Sequence, residues 1–326
     1  MKKRCFNIVF AFLFTITSLL TSSFAHATIS NDDALLANGF LSAEVKSLSD
    51  DQKAHLVYEL QNNPENVQTV TYVVEIDELS VMRDFKNCTD EELLVKGYSS
   101  EFIEENRILF DSYLSMTSQE LADWLNTSED TAITVQQTLS GNNVQTRAIS
   151  NSKLEIRLSV GKYSNPAPYA VRYTVLAGFT WLSQPMIAIT DRNGENFGIK
   201  WGYGPGVLNY NSTIEYYLFG KNIFDGTASG DVKYGYGITY DWCWKKTQGG
   251  KEGYAESGGF TFDIASNTYS GFLTTVSAVY GHKTAKVNGI GINIAIVGSS
   301  IGVLPSFNLD YDHFKYSNEK KVDIRI

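Results

Sequence analysis

Cysteine, proline, histidine and methionine are scarce in this chain of 326 residues, at three, six, four and four copies. Three cysteines exclude a disulfide-stapled miniprotein. The histidines, His26, His55, His282 and His313, never stand four apart, and neither a CxxC pair nor a Walker loop occurs. Transition-metal and nucleotide sites therefore lack a signature, and no cofactor is expected. Charge is thin too, at 19% of residues beside 43% hydrophobic and 13% aromatic, which excludes a disordered chain. No apolar run reaches the roughly 20 residues of a membrane-spanning helix, so a polytopic membrane protein is excluded as well.

An export pattern is present at the start. Lys2, Lys3 and Arg4 precede an apolar stretch from Phe6 to Leu20, and Ala25-His26-Ala27 offers small residues two apart. These are the parts of a secretory signal, so residues 1–27 are expected to be cleaved after Ala27 and the product secreted. Cys5 lies ahead of the apolar stretch and no LPxTG-like string stands near Ile326, so neither lipid anchoring nor wall sorting is expected.

Setting those three positive charges aside takes the formal net charge from −9 to −12. From Thr28 to Ser150 there are 22 acidic and 7 basic residues; from Asn151 to Ile326 there are 14 and 17. Glycine divides at the same place, with Gly39, Gly97 and Gly141 before it and the other 23 after. The polar stretch 140–152 reads as a linker between an acidic domain, 28–139, and a Gly- and aromatic-rich domain, 153–326.

The acidic part reads as mainly helical. DDALLANGFLS from Asp32 and DEELLVKGYSS from Asp90 look like two copies of one corner. In each, glycine takes a left-handed position after the helix, the next aromatic folds back, and serine caps the next helix. The LL-x-x-G-[FY]-S string is similar to the opening corner of ubiquitin-associated domains over about ten residues; nothing functional is carried over from it. Val70, Tyr72, Val74 and Ile76 alternate as in a strand. Thr117 to Leu139 has helix-turn-helix spacing, but Glu129 and Asp130 stand where a DNA reader needs Lys or Arg, so a plain helical hairpin is expected and no nucleic-acid partner.

The second part reads as antiparallel β. Leu154, Ile156, Leu158 and Val160 alternate with Lys153, Glu155, Arg157 and Ser159, the pattern of a half-buried strand. Further strands are expected over 169–182, 185–190, 197–203, 214–219, 232–244, 258–264, 273–287, 289–297, 306–311 and 321–326, with an Asn193-Gly194 hairpin turn. The fold class is thus α+β, with helices followed by a sandwich or barrel.

Chemistry is weakly signalled. Gly298-Ser299-Ser300-Ile301-Gly302 matches a hydrolase elbow, but no helix pattern follows and His313 is the one histidine left downstream. Asp191-x-Asn193 and Asp310-x-Asp312 offer oxygens to calcium without completing a loop, so no metal is expected. Unrecognised carboxylates such as Asp241 or Asp263 remain as a hydrolase reading. In an oxidising compartment Cys88 and Cys243 are a candidate disulfide, closing 155 residues and stabilising by about 5 kcal/mol on chain entropy. Trp181, Trp201, Trp242 and Trp244 are a candidate binding surface. The expectation is an exported binding protein without catalysis, meeting an extracellular protein, glycan or membrane partner. The alternative is a membrane-active or antimicrobial precursor whose acidic part is a pro-region processed at Arg147. The alternating Ile290, Ile292, Ile294 and Ile296 suit either a sandwich core or a lipid-facing strand.

Overall fold

The structure is a computed structural model that describes residues 29–76, 78–141, 152–187, 195–201, 206–218, 220–233, 236–268, 275–282, 294–297, 306–309 and 322–325. Helices and antiparallel sheets both contribute. The first elements are α1 (Asn31–Ala37), α2 (Ser42–Ser47), α3 (Asp50–Asn62), β1 (Val67–Ile76), α4 (Leu79–Asn87), α5 (Asp90–Val95), α6 (Ser100–Ser115), α7 (Ser118–Leu125) and α8 (Glu129–Ser140). Next in the chain are β2 (Ser152–Lys162), β3 (Val171–Trp181), β4 (Glu195–Lys200), β5 (Gly206–Leu218), β6 (Lys221–Gly226), β7 (Ser229–Lys233) and β8 (Gly237–Trp242). The chain continues through β9 (Lys245–Gln248), β10 (Lys251–Ser266), β11 (Thr275–His282), β12 (Ile294–Val297), β13 (Ser306–Leu309) and β14 (Val322–Arg325).

The repeated corner forms as its residues require. Gly39 and Gly97 take φ of 82° and 95°. The amides of Phe40 and Tyr98 donate back to the Leu35 and Leu93 carbonyls at 3.1 Å, which satisfies the end of each helix. The two copies then differ. Ser99 caps α6, accepting from the Phe102 amide. In the first copy Leu41 holds the cap position, so the Glu44 carboxylate reaches back to its amide at 2.8 Å, and Ser42 bonds across to Glu215 instead. The helical hairpin also forms, turning at Asn126 in the left-handed region with φ of 49°.

One sheet runs β1-β2-β3-β10-β5-β6, with β9 on β10; a second runs β14-β11-β4-β8-β7; β12 and β13 pair as a ribbon. β1 pairs with β2 along its whole length, from Val67 opposite Gly161 to Ile76 opposite Ser152. The two large sheets meet through aromatic rings. Phe179 stacks on Trp242 and Phe197 on Phe260, each at 4.9 Å, and Trp201 lies 5.1 Å from Phe262. Burial of these rings, about 2–3 kcal/mol apiece, is the main term holding the sheets together.

The other face of the first sheet is also covered. Leu176 packs with Leu35, Phe40, Val45, Leu48 and Leu56 of the first three helices and their connections. This revises the half-buried reading of β2. Leu154, Ile156, Leu158 and Val160 do join the aromatic core, but Arg157 and Ser159 on the supposedly wet face are buried too. The same doubling occurs on β10: Phe260, Phe262 and Ile264 enter the aromatic core, while Thr261 and Asp263 bond Ser47 and Gln52 of the helix layer. The third cluster lies among α4 to α8, around Phe85, Phe102, Phe110 and Tyr113.

Several strand expectations change. Residues 185–187 form no strand: Met186 and Ile187 plug the helical cluster, and the Met186 amide donates to Glu78 at 2.8 Å instead of to a strand neighbour. The 232–244 stretch is two strands, β7 and β8, paired as a hairpin. β6 and β9 escape a sequence reading because both are short, and neither KNIFDG nor KKTQ alternates apolar with polar residues. The Asn193-Gly194 turn and residues 283–293 lie outside the described residues.

Candidate functional site

Two kinds of polar constellation occur: buried networks that fasten the helices to the sheet, and a cavity with aromatic walls. The largest network centres on Asp263, fully buried on β10. Its Oδ1 accepts from Gln52 Nε2 and Thr174 Oγ1, each at 2.8 Å, and its Oδ2 from Arg172 Nε at 2.9 Å and Tyr163 at 3.3 Å. Arg172 lies 4.3 Å over the Tyr163 ring, whose other neighbour is His55, stacked at 3.4 Å. Burial, then the charge of Asp263, pushes the Tyr163 hydroxyl up to about 12. Burial also lowers His55. With its acceptor sites filled by donors, Asp263 acts as a staple between α3, β3 and β10. Asp241, the other carboxylate singled out in the sequence, is raised by burial and accepts from Asn196.

A second network fastens α2 to the sheet. Glu215, nearly fully buried, accepts from Ser42 at 2.7 Å and pairs with Lys46 at 2.7 Å. The Ser47 carbonyl accepts from Thr261 Oγ1 at 2.6 Å and Asn211 Nδ2 at 3.1 Å. Glu44 is fully buried above Gly178, 3.6 Å from Arg157 Nε, and burial raises it to about 7. Gly178 and Gly259 give α2 a flat floor, Gly178 beneath the Glu44 side chain and Gly259 against the Ala43–Glu44 backbone.

The cavity opens where the end of α7 meets the end of the sheet. It holds about 170 Å³ and is lined by Asp123, Trp124 and Asn126 from the helical hairpin, Gln184 from the connection after β3, Tyr217, Leu218 and Gly220 from the β5–β6 turn, and Tyr254 and Glu256 from β10. The Gln184 amide bonds the Leu125 carbonyl at 2.8 Å, and Asn126 Nδ2 donates to Leu182 at 3.3 Å, so the hairpin is tied to the sheet at the rim. Trp124 and Tyr254 stand at 74° with centroids 5.8 Å apart, forming a corner. Gln184 Nε2 donates to Glu256 at 3.1 Å, while its Oε1 is buried with no partner among the described residues. Burial, then the charge of Glu215, raises the Glu256 carboxyl.

The sequence-derived site residues fare differently. Trp181, Trp201, Trp242 and Trp244 are each at most 3% exposed. They are core, because strand alternation turns them toward the facing sheet, and they offer no surface. The remaining tryptophan, Trp124, is half-buried at the cavity. Its place in a helical pattern hides it from a sequence reading, yet on α7 it flanks the buried Leu121, Ala122 and Leu125, at the rim of their face. Cys88 and Cys243 are not joined to each other in the structure. Cys88 packs on the helical cluster, whereas Cys243 lies between Trp242 and Trp244, which belong to the aromatic core. Ala27, Arg147, the 298–302 elbow, Asp310, Asp312 and His313 lie outside the described residues. Among the described residues, no three His, Cys, Asp or Glu side chains gather as metal ligands, and no helix is long and apolar enough to cross a membrane.

No protein-family model and no curated protein is matched by this sequence. Among solved structures, the chain is similar to the KRT10-binding region domain of the pneumococcal serine-rich repeat protein PsrP. The likeness covers 43% of this chain and 83% of that one at 8% identity, with a TM-score of 0.22, and carries no argument about either fold or function.

Proposed function

We propose that this chain is an exported, non-catalytic binding protein, and that its ligand enters the cavity between α7 and the β5 and β10 strands. The observation that carries this reading is the lining: three aromatic side chains, Trp124, Tyr217 and Tyr254, with Asp123, Gln184 and Glu256 set among them. Aromatic side chains with convergent polar groups between them are a recurring form of small-molecule site. Ligand-observed NMR with mixed sugars, amines and short peptides tests the reading. Hits that vanish with Tyr217→Ala support it; hits indifferent to that change, or none, refute it.

The pro-region alternative has less support. Removing residues 28–147 would strip β1 from β2 along ten paired positions and uncover Leu176 and the buried faces of Arg157 and Asp263. An intact mass beginning at Thr28 is the expected secreted product. A mature form beginning after Arg147, soluble and membrane-active, would overturn this view.

A further inference from the structure

The charges around the cavity are one-sided. Asp123 and Glu256 line it, Glu215 raises Glu256 from nearby, and no Lys or Arg is in the lining. Two nearby lysines are engaged elsewhere, Lys46 with Glu215 and Asp225 at 2.7 and 2.9 Å and Lys245 with Glu252 at 2.9 Å, and the exposed Lys221, opposite Leu218 on the neighbouring strand, is not in the lining. Among the described residues, neither Asp123 nor Glu256 has a cationic partner. Their hydrogen bonds come from neutral amides, Gln119 to Asp123 at 2.8 Å and Gln184 to Glu256 at 3.1 Å. Burial disfavours an unpaired carboxylate, and a positive charge brought beside it offsets that cost. The walls add to this preference, because aromatic faces attract cations and a corner of two rings presents more than one such surface. The buried Oε1 of Gln184 is a further acceptor, and it suits a donor N–H.

Resting on the reading of this cavity as the ligand site, we propose that its ligand is an organic cation, an ammonium or guanidinium group whose charge faces Glu256 and Asp123 while its carbon part lies against Trp124 and Tyr217. A volume of about 170 Å³ suits a single head group or the end of one side chain, and is too small for an extended oligomer. The charged group comes either from a free small molecule or from a lysine or arginine of a partner protein.

The experiment titrates the full secreted chain, following Trp124 fluorescence against a Trp124→Phe reference. The titrants are choline chloride, its neutral isostere 3,3-dimethylbutan-1-ol, Nα-acetyl-lysine amide, Nα-acetyl-arginine amide and glucose. At least one cation is expected to bind about tenfold more tightly than the neutral compounds, and to lose about tenfold with Glu256→Gln. Preference for choline assigns a free ammonium compound, and preference for the amino-acid amides assigns a protein partner; both support the proposal. Unchanged near-UV circular dichroism shows that the Glu256→Gln chain is folded, and Asp123→Asn provides a second variant on a more exposed residue. Equal binding of choline and its isostere, or saturable binding by glucose alone, overturns the cation but leaves the cavity as the site. Failure of all five up to about 10 mM overturns both.

Discussion

Gly259 on β10 carries a sharp mechanical consequence. A Cβ built there would lie 2.5 Å from Glu44 Cα and closer still to the Ala43 carbonyl, inside the 3.0 Å that real Cβ atoms keep. Those atoms are the backbone of α2, so no side-chain rotation relieves the contact and the helix has to lift. Lifting stretches the Ser42 and Lys46 bonds to buried Glu215 and the Thr261 bond to the Ser47 carbonyl. Overpacking costs about 1–3 kcal/mol, and each weakened hydrogen bond about 1 kcal/mol more. Against this, alanine stiffens the unfolded chain and returns about 0.5–1 kcal/mol. Gly259→Ala is therefore expected to lose about 3–5 kcal/mol in urea unfolding. Gly178→Ala meets only the Glu44 side chain, at 2.8 Å from Oε1, which can swing aside, so its loss should be about 1–2 kcal/mol. Gly206→Ala meets nothing within 4 Å and should be neutral or slightly stabilising. If Gly259→Ala unfolds within about 0.5 kcal/mol of the parent chain, α2 does not stand on this floor and the argument is wrong.

The Glu44 carboxyl, raised to about 7, makes stability depend on pH. Between its unfolded value near 4.5 and about 7 the native chain holds a proton that the unfolded chain has released, so stability falls as pH rises through that window, by up to about 3 kcal/mol. Glu44→Gln should flatten that slope in urea midpoints taken from pH 4.5 to 8; an unchanged slope contradicts the assignment. Asp263→Asn leaves Arg172 without its carboxylate and is expected to cost about 3–5 kcal/mol by the same measurement, with Arg172→Met recovering part of the loss. Cys88 and Cys243 should both react with a thiol reagent once the secreted chain is unfolded without reductant; no reaction at either would show that they had been joined.

Legibility in the sequence tracks the number of faces each element buries. The corners at Gly39 and Gly97 are local: a left-handed glycine and the aromatic after it determine the bond back to Leu35 or Leu93, and ten residues suffice to read them. The apolar side of β2 is equally plain, since period-two alternation reports one buried face. The opposite side is not, because Arg157, Ser159, Thr261 and Asp263 are polar residues buried by helices from elsewhere in the chain. Polarity normally signals solvent, and only the partner's position reveals that Gln52 or Ser47 is waiting for them.

The same rule separates the tryptophans. Four on or beside strands read as surface candidates and are core. Trp124, on a helix with its own buried stripe, attracts no notice in the sequence and stands at the cavity, because the cavity lies between elements that sequence periodicity treats one at a time. A cavity assembled from a helix end, a connection that resembles a strand at 185–190, and the ends of β5 and β10 leaves no spacing signature. Its ingredients are nevertheless in the composition, an excess of acid in one part of the chain and of tyrosine in the other. The fold brings Asp123 from the first beside Tyr217, Tyr254 and Glu256 from the second, and an attraction for positive charge arises from that meeting rather than from either part alone.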